Sequence, residues 1–379
     1  MGKKIRYGMV GGSLSGLVGE WHRKGIALDP RAELVAGNFS RKAEANEETG
    51  DVYGVAPDRL YSDYKEMIAG EVSREDGIDF VSIVTPNNTH FEISKAFLEA
   101  GINVVCDKPL TFEVSEAEEL ARIAKEKNLV FGVTYTYTGH VMVKAFKEMI
   151  AAGKIGEIIS VNAEYIQDGM LDGLASSGVN DEIWRTDPRY AGIAHTLGDI
   201  GTHIEANVRY ITGLKIKRVL ATSNRFGHAL DLNSNILVEY ENGVNGSYWC
   251  SQVAAGRSNG FLIRVFGTEG AIEWSEETLG ELRYTVKGQP PQILSSGGNY
   301  ITEPAGRLSR LPEGHAEGIY EAFANIYGNI ITTIIKKKNG ETPSAEDLDF
   351  PTADDGAEGV RFVHAVVESA ARDAAWIVV

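Results

Sequence analysis

Three groups of residues in this 379-residue chain have types and spacings that can do chemistry. The first is Lys108, set between Asp107 and Pro109 directly after the apolar run Asn103-Val104-Val105-Cys106. A lysine at the end of a buried strand, partly desolvated, can serve proton transfer near neutral pH; a solvated loop lysine is the plainer alternative. The second is Asp199 with His203, four residues apart in Gly198-Asp199-Ile200-Gly201-Thr202-His203. On a helix that spacing puts both side chains on one face. Histidine is the commonest carrier of a hydroxyl proton, and a carboxylate one turn away can orient it or hold a substrate hydroxyl. The alternative is an N-cap aspartate followed by a packed histidine. The third is the turn Gly11-Gly12-Ser13-Leu14-Ser15-Gly16. Between a strand and a helix, Gly-x-Gly-x-x-Gly cradles a pyrophosphate on the helix N-terminus. Gly11 and Gly16 fit, and Ser13 stands where the middle glycine would be; an ordinary tight turn is the competing reading.

These groups need a scaffold, and the apolar pattern supplies one. Apolar strand-like runs recur at 5–10, 33–39, 79–84, 103–106 and 130–133, separated by helical stretches that include 91–100 and 113–127. Continuous apolar strands alternating with helices predict a doubly wound parallel sheet, an α/β Rossmann domain over about residues 1–150. After about residue 154 the pattern becomes alternating, at 157–166, 217–223, 236–240, 246–251, 262–266 and 271–274, with Asn242-Gly243 as a hairpin turn. That predicts a second, α+β domain over 151–379, with a large, mostly antiparallel, open-faced sheet. Residues 168–181 read as a loop at the sheet edge, 288–312 as a mobile arm, and 314–338 and 354–372 as helices. The last five residues read as a strand, and the terminal helices are candidates to pack back on the first domain.

Composition narrows the partners. Lys+Arg 37 against Asp+Glu 53 leaves a formal charge of −16, which argues against nucleic acid and anionic membrane surfaces. The two cysteines, Cys106 and Cys250, lie in separate apolar runs, so neither a disulfide nor a metal site is expected. No run reaches the ~18 apolar residues of a membrane span and no signal peptide is evident; a cytoplasmic protein is the expectation. At the end of the second strand Asn38-Phe39-Ser40-Arg41-Lys42 holds no acid. Ser40 and the two cations could hold a 2′-phosphate, and Arg41 could equally stack on adenine, so NAD and NADP stay open.

Taken together, the glycine turn, Asp107-Lys108-Pro109 and Asp199-x-Gly-x-His203 occur in the order and spacing of one family. With Val84-Thr85-Pro86-Asn87, Asn88-Thr89-His90 and Lys154-Ile155-Gly156-Glu157-Ile158, the whole chain resembles the glucose–fructose oxidoreductase/inositol dehydrogenase/MocA (Gfo/Idh/MocA) family. The family has a glutamate where this chain has Asp107, and Ala206 stands where a further acid often lies. The resemblance implies NAD(P) as cofactor and Lys108 as catalytic lysine. It makes His203 the proton acceptor or donor and Asp199 its substrate-binding partner. It places Thr85, Pro86, Asn87 and His90 along the nicotinamide side, and Trp184-Arg185 near nicotinamide and substrate. The Gly11–Gly16 turn, Ser40, Arg41, Asp107 and Lys108 complete the expected cofactor set. Tyr135, Tyr137, Tyr165, Gln167 and His315 are further candidates for contact with substrate hydroxyls.

The expected activity is hydride transfer between nicotinamide and a secondary alcohol or ketone carbon of a sugar, glycoside or inositol. Two other activities occur on the same fold: glycoside cleavage by transient oxidation and elimination, and non-catalytic nucleotide sensing. Retention of Lys108, Asp199 and His203 together speaks against the last. Family members pair through the open sheet, which implies a homodimer or homotetramer.

Overall fold

The computed structural model describes residues 4–172, 186–301 and 303–379. They fall into two units, Met1–Gly139 with Ile319–Ala357, and His140–Gly318 with Glu358–Val379.

In the first unit β1 (Ile5–Gly11), β2 (Ala32–Asn38), β3 (Phe80–Val84), β4 (Asn103–Cys106) and β5 (Phe131–Val133) form one sheet, ordered β2-β1-β3-β4-β5. Every pairing in it is parallel. Parallel strands need crossovers, here helices such as Leu17–Ala27, His90–Glu99 and Val114–Glu126. Because strand order reverses at β1, right-handed crossovers send helices to both faces and open a crevice beyond the carboxyl ends of β1 and β3. The Gly11–Gly16 turn follows β1, and Thr85–Asn87 follow β3, so both lie at that switch point. The Rossmann expectation is borne out. The pattern did not signal the helices Ala43–Tyr53 and Tyr64–Val72. The first, AEANEETGDVY, carries almost no apolar stripe for a periodicity to register.

The Ile319–Lys338 helix belongs to this unit. Its Phe323, Ile326, Tyr327, Ile330 and Ile334 join Tyr7, Met9, Ile26 and Phe80 in one buried cluster. A Cβ on Gly25 would lie 2.5 Å from Phe323 Cβ, so the absence of a side chain there lets the first helix and this one close on each other.

The second unit is built on nine strands: β6 (Ile158–Ile166), β7 (Ile216–Asn224), β8 (Asn233–Tyr240), β9 (Asn245–Ser251), β10 (Gly260–Gly267), β11 (Gly270–Ser275), β12 (Glu281–Val286), β13 (Gln292–Ser295) and β14 (Ile377–Val378). Their order is β13-β12-β11-β10-β6-β9-β8-β7-β14, and β6 with β9 is the parallel pair in an otherwise antiparallel sheet. The β8–β9 hairpin turns at Asn242-Gly243, with Gly243 at φ +86° and Tyr240 N–H donating to Val244 O. Inward residues such as Val238, Ile263 and Val265 are buried, while the intervening Leu237 and Phe266 are 50% and 39% exposed, so one face of the sheet is open. Tyr248 packs edge-on against Phe362 of the Ala353–Ala371 helix on the covered side.

Two local expectations change. The 288–312 segment is not simply an arm: β13 within it pairs with β12, Glu281 opposite Ser295. Main-chain pairing overrides its proline- and glycine-rich flanks. The helix expected from Gly198 begins as a π-turn, Leu197–Gly201, before turning α at Thr202–Thr212, so the spacing of Asp199 and His203 straddles two helical geometries. Residues 173–181 of the expected edge loop lie outside the described residues. Cys106 and Cys250 are buried free thiols. No described helix is long and apolar enough to cross a membrane.

His140, which opens the Val141–Ala151 helix and lies against Trp274, is buried, and desolvation lowers its pKa from 6.5 to about 4. The unfolded chain therefore takes up a proton that the fold refuses. The resulting stability is fully present above about pH 6.5 and is lost as pH falls toward the folded value. Between pH 7.5 and pH 4.5 the urea midpoint is expected to fall. His140→Gln should remove on the order of 2–3 kcal/mol of that pH-dependent change, which urea titrations at the two pH values would read.

Candidate functional site

The glycine turn has the shape of a phosphate cradle. Gly11 and Gly12 take φ of +80° and +77°, and a Cβ on Gly11 would meet Val84 O at 2.7 Å. The first helix starts after Gly16 with no side-chain cap, so its first-turn N–H groups are presented to an anion at the positive end of the helix dipole. Ser13 and Ser15 sit in the turn with their hydroxyls hydrogen-bonded to each other at 3.0 Å. The tightest contact is one the motif did not mark. A Cβ on Gly19 would lie 2.2 Å from Gly12 Cα, whereas one on Gly16 would meet nothing nearer than Ser13 O at 3.4 Å. The role of packing the helix onto the strand turn, which the motif gives to its last glycine, falls to Gly19. Its spacing three residues beyond Gly16 was the available signal. These features fit a bound dinucleotide.

Beyond β2, Asn38 turns its amide to Tyr61 O, and Phe39 N–H donates to Asn46 Oδ1. Ser40 Oγ accepts from Lys42 N–H and Arg41 is exposed. No carboxylate lies on 38–42 to receive ribose hydroxyls.

The segment that carries Lys108 is tied down from several sides within the first unit. Asp107 Oδ1 accepts from Lys108 N–H at 2.9 Å and from Thr134 Oγ1 at 2.8 Å. His22 Nε2 lies 3.8 Å from the same oxygen, an electrostatic rather than hydrogen-bonding distance. Burial by itself pushes the Asp107 carboxyl up, but the His22 side chain and the charges of Lys108 and His90 outweigh it and hold the group well below the usual carboxylate range. His22 is completely buried; its Nδ1 lies 2.7 Å from Tyr327 Oη, which in turn lies 2.8 Å from Ser82 Oγ. A polar chain thus runs from Asp107 through the first helix to the Ile319–Lys338 helix.

His90 is buried rather than presented as a lining residue. Its Nδ1 is 2.9 Å from Pro109 O and its Nε2 2.9 Å from Thr85 O. It links the loop after β3 to the Lys108-Pro109 segment, and burial pulls its pKa below the ordinary histidine value. Thr85 Oγ1 accepts from Thr89 Oγ1, while Pro86 is exposed and Asn87 half-buried. Tyr135 and Tyr137 are buried in the first unit.

The second unit assembles its own cluster. Asp231, buried, accepts N–H bonds from His195 at 2.8 Å and Leu197 at 2.9 Å, so it caps the segment that bears Asp199 and His203. Burial raises its pKa against the pull of those two donors. Gly201 lets the helix approach β9, since a Cβ there would meet Cys250 Sγ at 3.3 Å. Tyr165 stacks on Phe261 with ring centroids 4.8 Å apart and tilts 6.0 Å from the His203 ring. Tyr165 Oη and Gln167 Nε2 both donate to Asn259 Oδ1. Asp199 Oδ2 accepts from Gln252 Nε2 at 2.9 Å.

The structure therefore brings Tyr165 together with His203, and Tyr165 with Gln167 through Asn259. It adds Asn259, Gln252 and Asp231, which single-residue motifs could not flag because their partners lie on other strands. Trp274 packs in the sheet core and Trp249 donates to Asn233 Oδ1. His315 is exposed, its N–H turned back to Pro312 O. Trp184 and Arg185 lie outside the described residues. No cluster of potential metal ligands occurs among the described residues.

Comparison with known proteins adds an independent line. Residues 5–135 match the oxidoreductase family with an NAD-binding Rossmann fold, and residues 143–273 match the GFO/IDH/MocA C-terminal domain. The chain is 37% identical over 385 residues to the uncharacterized oxidoreductase YfiI of Bacillus subtilis (strain 168), covering 99% of this chain and 97% of that one. It is 27% identical over 411 residues to the levoglucosan dehydrogenase of Pseudarthrobacter phenanthrenivorans, with 99% and 98% covered. A crystal structure of an inositol dehydrogenase homolog from Azotobacter vinelandii, complexed with NADH and myo-inositol, superposes with a TM-score of 0.91 at 36% identity, covering 100% of this chain and 98% of that chain.

The glycine geometry separates two positions of one motif. Gly19→Ala is expected to weaken NADH binding about tenfold by forcing the turn off the helix. Gly16→Ala should leave it within about twofold. Titration of NADH fluorescence on both variants checks the contrast, and equal losses would reject the assignment of Gly19.

Proposed function

The chain belongs to the GFO/IDH/MocA oxidoreductase family, and we propose that it transfers hydride between nicotinamide and a secondary alcohol or ketone carbon of a sugar, glycoside or inositol. The cofactor, NAD or NADP, supplies the hydride chemistry when bound, and the protein supplies position and electrostatics. Gly11, Gly12, Ser13 and the first-turn N–H groups would hold its pyrophosphate. Ser40 and Arg41 would meet the adenosine ribose, and Thr85, Pro86 and Asn87 the nicotinamide side.

In this reading His203 takes the proton of the reacting hydroxyl at its imidazole. Lys108 would stabilise the negative charge that grows on the substrate oxygen as the proton leaves. Asp199 accepts from a neighbouring substrate hydroxyl and fixes the ring. The observation that carries the proposal is the composition of the second-unit cluster. The Asp199 carboxylate, the His203 imidazole and the flat face of Tyr165, stacked on Phe261, lie on one set of elements. Acceptors beside an aromatic face suit a polyhydroxylated ring. The names of the relatives, a levoglucosan dehydrogenase and an inositol dehydrogenase homolog bound to myo-inositol, support the same substrate class. The formal charge of −16 is compatible with a neutral polyol. The open sheet face, with Leu237 and Phe266 exposed, supports pairing into a homodimer or homotetramer.

Screening sugars, glycosides and inositols with NAD and NADP in parallel, by the absorbance of the reduced cofactor, tests the activity. Lys108→Ala is expected to lower kcat by about 10²–10⁴-fold, read at saturating cofactor so that any change in NADH affinity is separated from the loss of turnover. Undiminished turnover would reject the role of Lys108.

A further inference from the structure

Gln252 follows β9 directly and is held on both sides by main chain: its N–H donates to Leu232 O and its carbonyl accepts from Met170 N–H, both at 2.9 Å. The residue is 94% buried, and none of the sequence motifs includes it. Its Nε2 donates to Asp199 Oδ2 at 2.9 Å. That bond fixes the orientation of the amide, because the reverse orientation would set two acceptor oxygens against each other. The amide oxygen, Oε1, is then left buried with no hydrogen-bond partner among the described residues. Buried amide carbonyls are nearly always satisfied, and one that is not calls for an explanation.

We propose that Gln252 is a specificity-determining residue whose Oε1 accepts from the substrate hydroxyl adjacent to the one held by Asp199. The assignment deepens the polyol dehydrogenase reading above and rests on it. With Asp199 holding one substrate hydroxyl in the proposed reading, the unpartnered amide oxygen bonded beside it calls for a second donor next to the first. Vicinal hydroxyls of a neutral ring supply them. An ether oxygen or a ketone at the second position supplies none, and a carboxylate or phosphate there would bring further negative charge against Asp199. Gln252 thus accounts for selection of a 1,2-diol over its deoxy counterpart. A site that hydrogen-bonds a hydroxyl discriminates strongly against the analogue lacking it, because its own polar group is then left unpaired.

The probes are myo-inositol and D-glucose, each compared with its monodeoxy analogues, on the wild-type enzyme and on Gln252→Met, which keeps side-chain length but carries neither amide group. For the wild type, removal of one particular hydroxyl next to the reacting carbon is expected to lower kcat/KM by about ten- to a hundredfold. In Gln252→Met that ratio should shrink to within about threefold, chiefly through a higher KM for the fully hydroxylated substrate, with NADH affinity unchanged. Gln252→Asn draws the amide back by one methylene and should lose the same discrimination, which keeps the test decisive if the methionine variant does not fold. A ratio that survives in the variants, or an equal loss on every substrate, overturns the assignment and leaves Gln252 as a prop for Asp199. A wild-type enzyme that turns over no polyol with either cofactor overturns instead the reading on which the assignment rests.

Discussion

In each unit a carboxylate that accepts from backbone N–H holds the segment that carries a candidate catalytic side chain. Asp107 Oδ1 receives Lys108 N–H, and the Asp231 oxygens receive His195 and Leu197 N–H just before Asp199 and His203. Desolvating a carboxylate is costly, and such a group persists where donors converge on it. The two sites answer that cost differently. At Asp107 the His22 side chain and the Lys108 charge outweigh burial and hold the pKa down, whereas at Asp231 burial wins and the pKa rises. Either way the backbone of the segment is fixed by a short polar side chain.

That arrangement explains why the first unit recruits a helix from late in the chain. Asp107 faces His22, and His22 is oriented by Tyr327, which also meets Ser82 on the central strand. Tyr327 and Phe323 belong to the same buried cluster as Tyr7 and Phe80. The Ile319–Lys338 helix therefore contributes an apolar stripe to the core and a phenol to the polar chain behind Lys108. His90 works on the other side of the same segment, with each ring nitrogen facing a main-chain oxygen, so the loop after β3 and the lysine loop are held as one piece.

The second unit shows how an open sheet can support a polar cluster. The alternation of its strands buries one row of side chains and leaves the next exposed. The cluster lies where the β6 and β9 ends meet the start of β10: Tyr165, Gln167, Gln252 and Asn259 come from those three places. Gly201 allows the π-turn and helix to approach Cys250 closely enough to hold Asp199 against Gln252.

What the amino-acid order determined by itself were the features set by near neighbours. These were the continuous apolar strands of a parallel sheet, the alternation of an antiparallel one, the Asn-Gly hairpin, the glycine turn, and the Asp-Lys-Pro and Asp/His segments. Strand periodicity and turn chemistry are local, since they depend on residues a few positions apart. Tertiary structure decided the rest. It made Gly19 rather than Gly16 the contact that closes the turn, turned the start of the Asp199 helix into a π-turn, and buried His90 between two loops. It also paired His22 with Tyr327, 305 residues away, and Asp199 with Gln252, 53 residues away. Such partners are selected by strand register and helix packing, and no spacing along the chain encodes which side chains those will set face to face.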